Sequence, residues 1–238
     1  MSDAGRVIAG SARGTRLLAP DAGTRPLGDR VKETLFAILE PEIPGAAVLD
    51  LFAGSGAGGI EALSRGAARA VFVERDAAAA RVIAANLVRA RFAERGTVVR
   101  AEALTYLAER AAADGPFDLV LIDPPYAEPH LLESALTWLG AGASASAGTA
   151  GSSAGTPGVS RTGTSALLLR PEAWIVAKHF WRTPPPPAVG LLASVRTRRF
   201  GETVLTFYRQ AGSGPRETEE SAAVTSARPA SESEEAAR

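Results

Sequence analysis

The sequence predicts an α/β fold, a doubly wound and mostly parallel sheet that ends in a C-terminal antiparallel hairpin. Three observations carry that expectation. Short apolar runs alternate with longer segments of helical period, the pattern of parallel strands joined by covering helices. A glycine-rich turn, Gly54-Ser-Gly56-Ala-Gly58-Gly59, links the first apolar run to a helix-period segment. Near the end, two β-type runs flank Arg199-Phe-Gly201, which reads as a hairpin rather than another crossover.

The elements follow in order. A helix is expected over 29–40, where Val31, Leu35, Ile38 and Leu39 form one stripe, with Asp29 as the N-cap and Pro41 as the terminator. Strands are expected at 47–52, 70–74, 97–100, 118–122 and 173–177. Helices at 56–65, 77–94, 103–113 and 128–139 separate them, and Gly66, Gly96 and Gly115 fall where C-terminal caps are wanted. Pro184 to Pro187 form a stiff extended spacer, and runs 191–198 and 202–209 make the hairpin.

Composition sets the limits. The chain has 238 residues, 46% hydrophobic and 22% charged, with a formal net charge of zero. It has no Cys, which excludes a disulfide framework, a thiolate metal site and a cysteine nucleophile; with His130 and His179 alone, a histidine-rich metal site is excluded in practice. No run approaches the length of a membrane span and the N-terminus lacks the apolar core of a secretory signal, so the expected location is the cytoplasm. Residues 140–165, almost all Gly, Ala, Ser and Thr, read as a flexible insertion, and 211–238 as a disordered acidic tail. The expected organisation is a basic N-terminal arm and helix over 1–40 and one catalytic domain over 41–210.

The zero net charge conceals a basic body. Arg6, Arg13, Arg16, Arg25, Arg30 and Lys32 outnumber Asp21 and Asp29 in the N-terminal segment, and Arg196, Arg198 and Arg199 concentrate in the hairpin. These two ends are the expected phosphate-binding surface, if the fold brings them together.

Two motifs carry chemistry. Asp50-Leu-Phe52-Ala-Gly54-Ser-Gly56 leaves a buried strand for a helix N-terminus, and Glu74 closes the next strand 20 residues after Gly54, placed to accept from ribose hydroxyls. Taken alone, this marks an adenosine-containing cofactor or a merely structural turn. Asp50 disfavours a pyrophosphate and favours a ligand with a cationic or amino group, such as S-adenosylmethionine. The second motif, Asp123-Pro124-Pro125-Tyr126, follows an apolar strand. Its two prolines remove N–H donors, so the Asp side chain and the neighbouring carbonyl present acceptors only, and Tyr126 offers a stacking plane. That is a site for an exocyclic amino group. His130 reads as a surface histidine, and His179 and Trp181 as packing or rim residues.

Together the two motifs resemble the class I, Rossmann-like methyltransferases that act on amino groups of nucleic-acid bases. The stretches Arg6-Val-Ile-Ala-Gly10, Arg13-Gly14, Arg25-Pro26, Asp29-Arg30-Val31-Lys32-Glu33-Thr34 and Glu61-Ala-Leu-Ser-Arg65-Gly66 are similar to one branch, the bacterial 16S ribosomal RNA guanine-N2 methyltransferases of the RsmD type. The resemblance covers about 6–139 and 167–209. It implies S-adenosylmethionine as cofactor, held by Asp50, Phe52, Gly54, Gly56, Glu74, Arg75, Glu102 and Ala103. It also implies a target guanine held by Asp123, Pro124, Pro125 and Tyr126, with Arg13, Arg16, Arg25, Arg30, Arg196, Arg198 and Arg199 on the RNA. The implied partner is 16S ribosomal RNA or a small-subunit assembly particle, with no membrane and no metal, and the expected working unit is a monomer. A DNA adenine-N6 methyltransferase would use the same box, and a non-catalytic RNA-binding protein the same fold. The chain departs from the branch at Leu27, Glu102 and Lys178, the last standing where an acidic residue is common, and in the 140–165 insertion.

Overall fold

Strand register decides where the chemistry collects. The computed structural model describes residues 3–20, 28–141 and 168–211. The acidic tail, most of the expected insertion, Arg25 and Leu27 lie outside the described residues.

Eight strands form the main sheet: β3 (Ala47–Asp50), β4 (Arg69–Glu74), β5 (Gly96–Arg100), β6 (Phe117–Ile122), β7 (Leu169–Phe180), β8 (Ala188–Val189), β9 (Leu192–Phe200) and β10 (Thr203–Gln210). Their order is β5-β4-β3-β6-β7-β10-β9-β8. The first five are parallel, and β10, β9 and β8 add antiparallel to that edge. The chain runs outward from β3 through β4 to β5, then returns to β6 on the other flank. The switch point between β3 and β6 is where an open α/β sheet leaves a crevice at its strand ends.

One face carries α1 (Asp29–Leu39), α2 (Ala57–Ser64) and α3 (Ala77–Arg89), with Leu35, Phe36, Ile60 and Ile83 packed on Phe72, Leu121, Val176 and Phe207. The other carries α4 (Ala103–Glu109), α5 (Ala111–Asp114) and α6 (His130–Gly140), with Tyr106, Leu107, Leu132 and Leu136 packed on Leu49, Val73, Val120 and Ile175. Strands buried on both faces read as continuous apolar runs, which is why β3, β4 and β6 stand out in the sequence.

Several boundaries differ from expectation. The N-cap of α1 is Gly28; Asp29 is already helical and pairs with Arg6 and Lys32. The helix expected over 77–94 ends at Arg89, and Arg91 takes a left-handed conformation, so Gly96 begins β5 instead of capping. The segment 103–113 breaks at Arg110 into two helices. The helix after the Asp123 box starts at His130 and runs through Gly140, so the insertion begins later than its composition suggests. The hairpin turns at Gly201 and Glu202, which leaves Arg199 inside β9.

The N-terminal arm contains a small antiparallel pair that the sequence did not announce, β1 (Asp3–Arg6) and β2 (Arg16–Leu18). Buried polar side chains dock it. Glu61 accepts from the N–H groups of Ile8 and Ala9 at 2.7 and 3.0 Å, and Lys32 donates to the Arg6 carbonyl. Asn86 exchanges hydrogen bonds with Leu18 and donates to the Ser55 carbonyl in the glycine turn.

Candidate active site

The parallel pairing of β3 with β6 sets Asp50 opposite Leu121, so Asp50 and Asp123 reach the same rim of the sheet. Between and beyond them opens a cavity of about 930 Å³, lined by Asp50, Phe52, Gly54, Glu74, Arg75, Glu102, Ala103, Asp123 to Tyr126 and Lys178. Every residue expected to hold the cofactor or target base, apart from Gly56, borders this one space. Gly56 lies just beneath it, as the left-handed N-cap of α2 with φ +78°.

The glycine turn is tight because α2 approaches the sheet closely. A Cβ on Gly59 would meet the Phe72 ring at 2.3 Å, so the helix could not seat against β4 with any side chain there. Asp50, 4% exposed, accepts from the Gly59 N–H at 2.9 Å and so acts on the start of α2 from below. Burial, with Asp123 and Glu74 nearby, pushes its carboxyl up to about 7 despite that hydrogen bond. Glu74, the expected ribose acceptor, receives the N–H groups of Gly54 at 2.9 Å and Asp76 at 2.8 Å. Each of its oxygens keeps a lone pair for a ligand hydroxyl. Glu102, the N-cap residue of α4, borders the cavity with its side chain 60% exposed and makes no side-chain cap hydrogen bond.

Arg75 acts across the mouth instead of into it. Its guanidinium binds Glu128 at 2.7 Å, tying the loop after β4 to the loop after β6 and holding the Glu128 carboxyl below its usual range. Sequence reasoning missed Glu128, whose partner lies 53 residues away.

The cavity's charge selects its ligand. Asp50, Glu74, Asp76, Glu102, Asp123 and Glu202 line it against Arg75 and Lys178, and both of those cations are already paired with carboxylates. A pyrophosphate would be repelled. A sulfonium or ammonium group would be drawn to Asp50.

In the Asp123 box, Pro124 is buried, and no N–H of the described residues donates to its carbonyl. Tyr126 is 40% exposed; its hydroxyl shares a hydrogen bond with Thr203 Oγ1 at 3.0 Å, and its ring tilts toward Phe180, centroids 6.1 Å apart. Asp123 presents acceptors, as expected, and a lysine that the sequence did not pair with it already uses part of them. Lys178 Nζ donates to both of its oxygens, at 2.8 and 2.7 Å. Burial still raises the Asp123 carboxyl, with Lys178 opposing.

The basic residues divide. Arg13, Arg16 and Arg30 are exposed, Arg16 being paired with Asp3 at 2.7 Å. Arg196 and Arg198 stand opposite Phe207 and Leu205, on the face that α1 covers. Arg199, one residue on, points the other way and lies over Trp181 at 4.4 Å, so the three hairpin arginines do not share a face. His179 is buried between Thr206 and the Phe180 carbonyl, and His130 is exposed at the start of α6. Among the described residues no helix is long and apolar enough to cross a membrane, and no cluster of His, Asp or Glu could hold a metal ion.

The family model described as "Conserved hypothetical protein 95" matches residues 5–144. Ribosomal RNA small subunit methyltransferase D of Escherichia coli is 44% identical over 130 residues, 54% of this chain and 64% of that one. The chain belongs to the RsmD-type family of ribosomal RNA methyltransferases. Bacillus subtilis YlbH is 33% identical over 208 residues, covering 87% of this chain and 100% of its own length. The solved structure of Escherichia coli yhhF matches with a TM-score of 0.68 and 32% identity over 86% of this chain and 97% of that one.

Proposed function

We propose that this chain transfers a methyl group from S-adenosylmethionine to the exocyclic N2 of a guanine in 16S ribosomal RNA. One observation carries the reading. Asp50 beneath the glycine turn and the Asp123-Pro124-Pro125-Tyr126 box face a single acidic cavity at the β3–β6 switch point.

Asp50, Phe52, Gly54, Glu74, Glu102 and Ala103 would hold S-adenosylmethionine, with Glu74 toward ribose hydroxyls and Asp50 toward the cationic amino acid end. When bound, it would supply an electrophilic methyl group on a sulfonium, whose S–C bond breaks on transfer to leave a neutral thioether. The rest falls to the chain. The guanine N2 lone pair is delocalised into the ring, which makes the amine a poor nucleophile. Asp123 and the Pro124 carbonyl, accepting its two hydrogens, draw the nitrogen toward tetrahedral geometry and localise that pair. Tyr126 stacks on the base after it leaves its neighbours. As the N–C bond forms, the amine loses one proton, which Asp123 is placed to accept or pass to water. Rate then depends mainly on in-line placement.

The test is single-turnover methyl transfer. Asp123→Ala should lower the rate at least ~100-fold while S-adenosylmethionine affinity stays within a few-fold of wild type, the signature of a group acting in the transition state. A wild-type rate in that variant removes the box from the mechanism.

A further inference from the structure

Ile122 of β6 pairs with Ala177 of β7, so the residues one step beyond, Asp123 and Lys178, stand side by side on the rim of two parallel strands. The ion pair is thus a product of register. Its two N···O distances are nearly equal, which puts Nζ near the bisector of the carboxylate, and the side chains are only 12% and 29% exposed. Nζ also lies 5.4 Å from the centroid of the Tyr126 ring. An ammonium so placed takes one lone pair from each oxygen and leaves each the other. The carboxylate cannot rotate without breaking a charged hydrogen bond.

The charges around the pair make the lysine consequential. On the β3 side is Asp50, and beyond it Glu74 of β4, which is tied to the glycine turn. Arg75 is spent on Glu128, with Glu102 3.8 Å away, and Glu202 lines the cavity from the β9–β10 turn. His130 and Glu133 of α6, with His179 of β7, border an adjoining cavity of about 420 Å³ on the far side of the box. Among the described residues, Lys178 is the cation in contact with Asp123. Without it, two carboxylates would share a largely desolvated space, where like charge and burial both favour the neutral acid. A protonated Asp123 carries a donor, is a weaker acceptor for the amine hydrogen and cannot take up the proton that the amine loses.

We propose that Lys178 is a positioning residue for methyl transfer: it keeps the Asp123 carboxylate ionised and turned so that its remaining acceptors face the target amine. This rests on the reading that Asp123 engages the base, and the test separates the two.

Single-turnover rates are measured against pH for enzyme preloaded with saturating S-adenosylmethionine, in wild type, Lys178→Met and Lys178→Arg. The acid limb should move up by about 1–3 pH units in Lys178→Met, with rate recovering as pH rises, and Lys178→Arg should restore the limb. An unmoved limb in Lys178→Met, with wild type active and Asp123→Ala inactive, overturns the proposal. A wild type that makes no N2-methylguanosine defeats the functional reading alone. In that case, or if Lys178→Met fails to fold, the ¹³C carboxyl titration of wild-type protein decides. Asp123 should ionise at lower pH than Asp50, and ionisation at or above Asp50 overturns the proposal.

Discussion

Asp50 is a carboxyl that burial pushes up to about 7, and among the described residues no unpaired cation lines its cavity to offset it. A ligand cation would be that offset. Below about pH 7 the free protein holds Asp50 largely as the acid, so binding S-adenosylmethionine should release a proton there, and affinity should rise with pH through neutrality. Calorimetry in two buffers of different ionisation enthalpy measures the release; none at pH 6.5 or so would contradict the assignment. The same shift works against stability. Because the folded pKa lies above the unfolded one, Asp50's contribution is present at low pH and is lost as pH rises from about 4 to about 7. Asp50→Asn should therefore weaken S-adenosylmethionine binding about 10–100-fold, the scale of a lost charged hydrogen bond, without lowering the melting temperature at neutral pH. A clear loss of thermal stability would mean that Asp50 is chiefly structural. The acceptor character of Asp123 was legible in the sequence, because two prolines strip donors from its neighbourhood. Its lysine clamp was not, since that depends on the register of two strands 55 residues apart.

Among the elements, β3, β4 and β6 were readable because burial on both faces forces continuous apolar runs. The arm was not. β1 and β2 have four and three residues, too short for periodicity, and their docking partners Glu61, Ser64 and Asn86 lie on α2 and α3. Glu61 is fully buried and also accepts from Arg65 Nε at 2.8 Å. Glu61→Ala would orphan two backbone N–H groups and a guanidinium. The expected cost is about 3 kcal/mol or more, roughly 6–12 °C in Tm for a chain of this size. The first turn of the arm should become sensitive to protease in the same variant. An unchanged melting temperature would show that the arm is held by its apolar contacts, Ala4, Val7 and Leu17, instead.

Across the whole molecule, the expected basic surface is sorted by the sheet. α1, bearing Arg30, covers the same face to which Arg196 and Arg198 belong, while strand alternation turns Arg199 to the opposite face. If RNA lies along the α1 face, Arg196→Gln with Arg198→Gln should reduce the log–log salt slope of RNA binding by about 1.4, near 0.7 for each single-strand phosphate contact. Arg199→Gln alone should leave the slope unchanged; the reverse pattern would place the RNA on the Trp181 side. The central claim joins both motifs in one reaction at the β3–β6 rim, and product analysis tests it most directly. Unmodified small-subunit ribosomal RNA, incubated with the protein and methyl-labelled S-adenosylmethionine, is digested to nucleosides and resolved. The label should appear in N2-methylguanosine with wild type and fall to background with Asp123→Ala. Label in N6-methyladenosine, or equal N2-methylguanosine from both proteins, would contradict it.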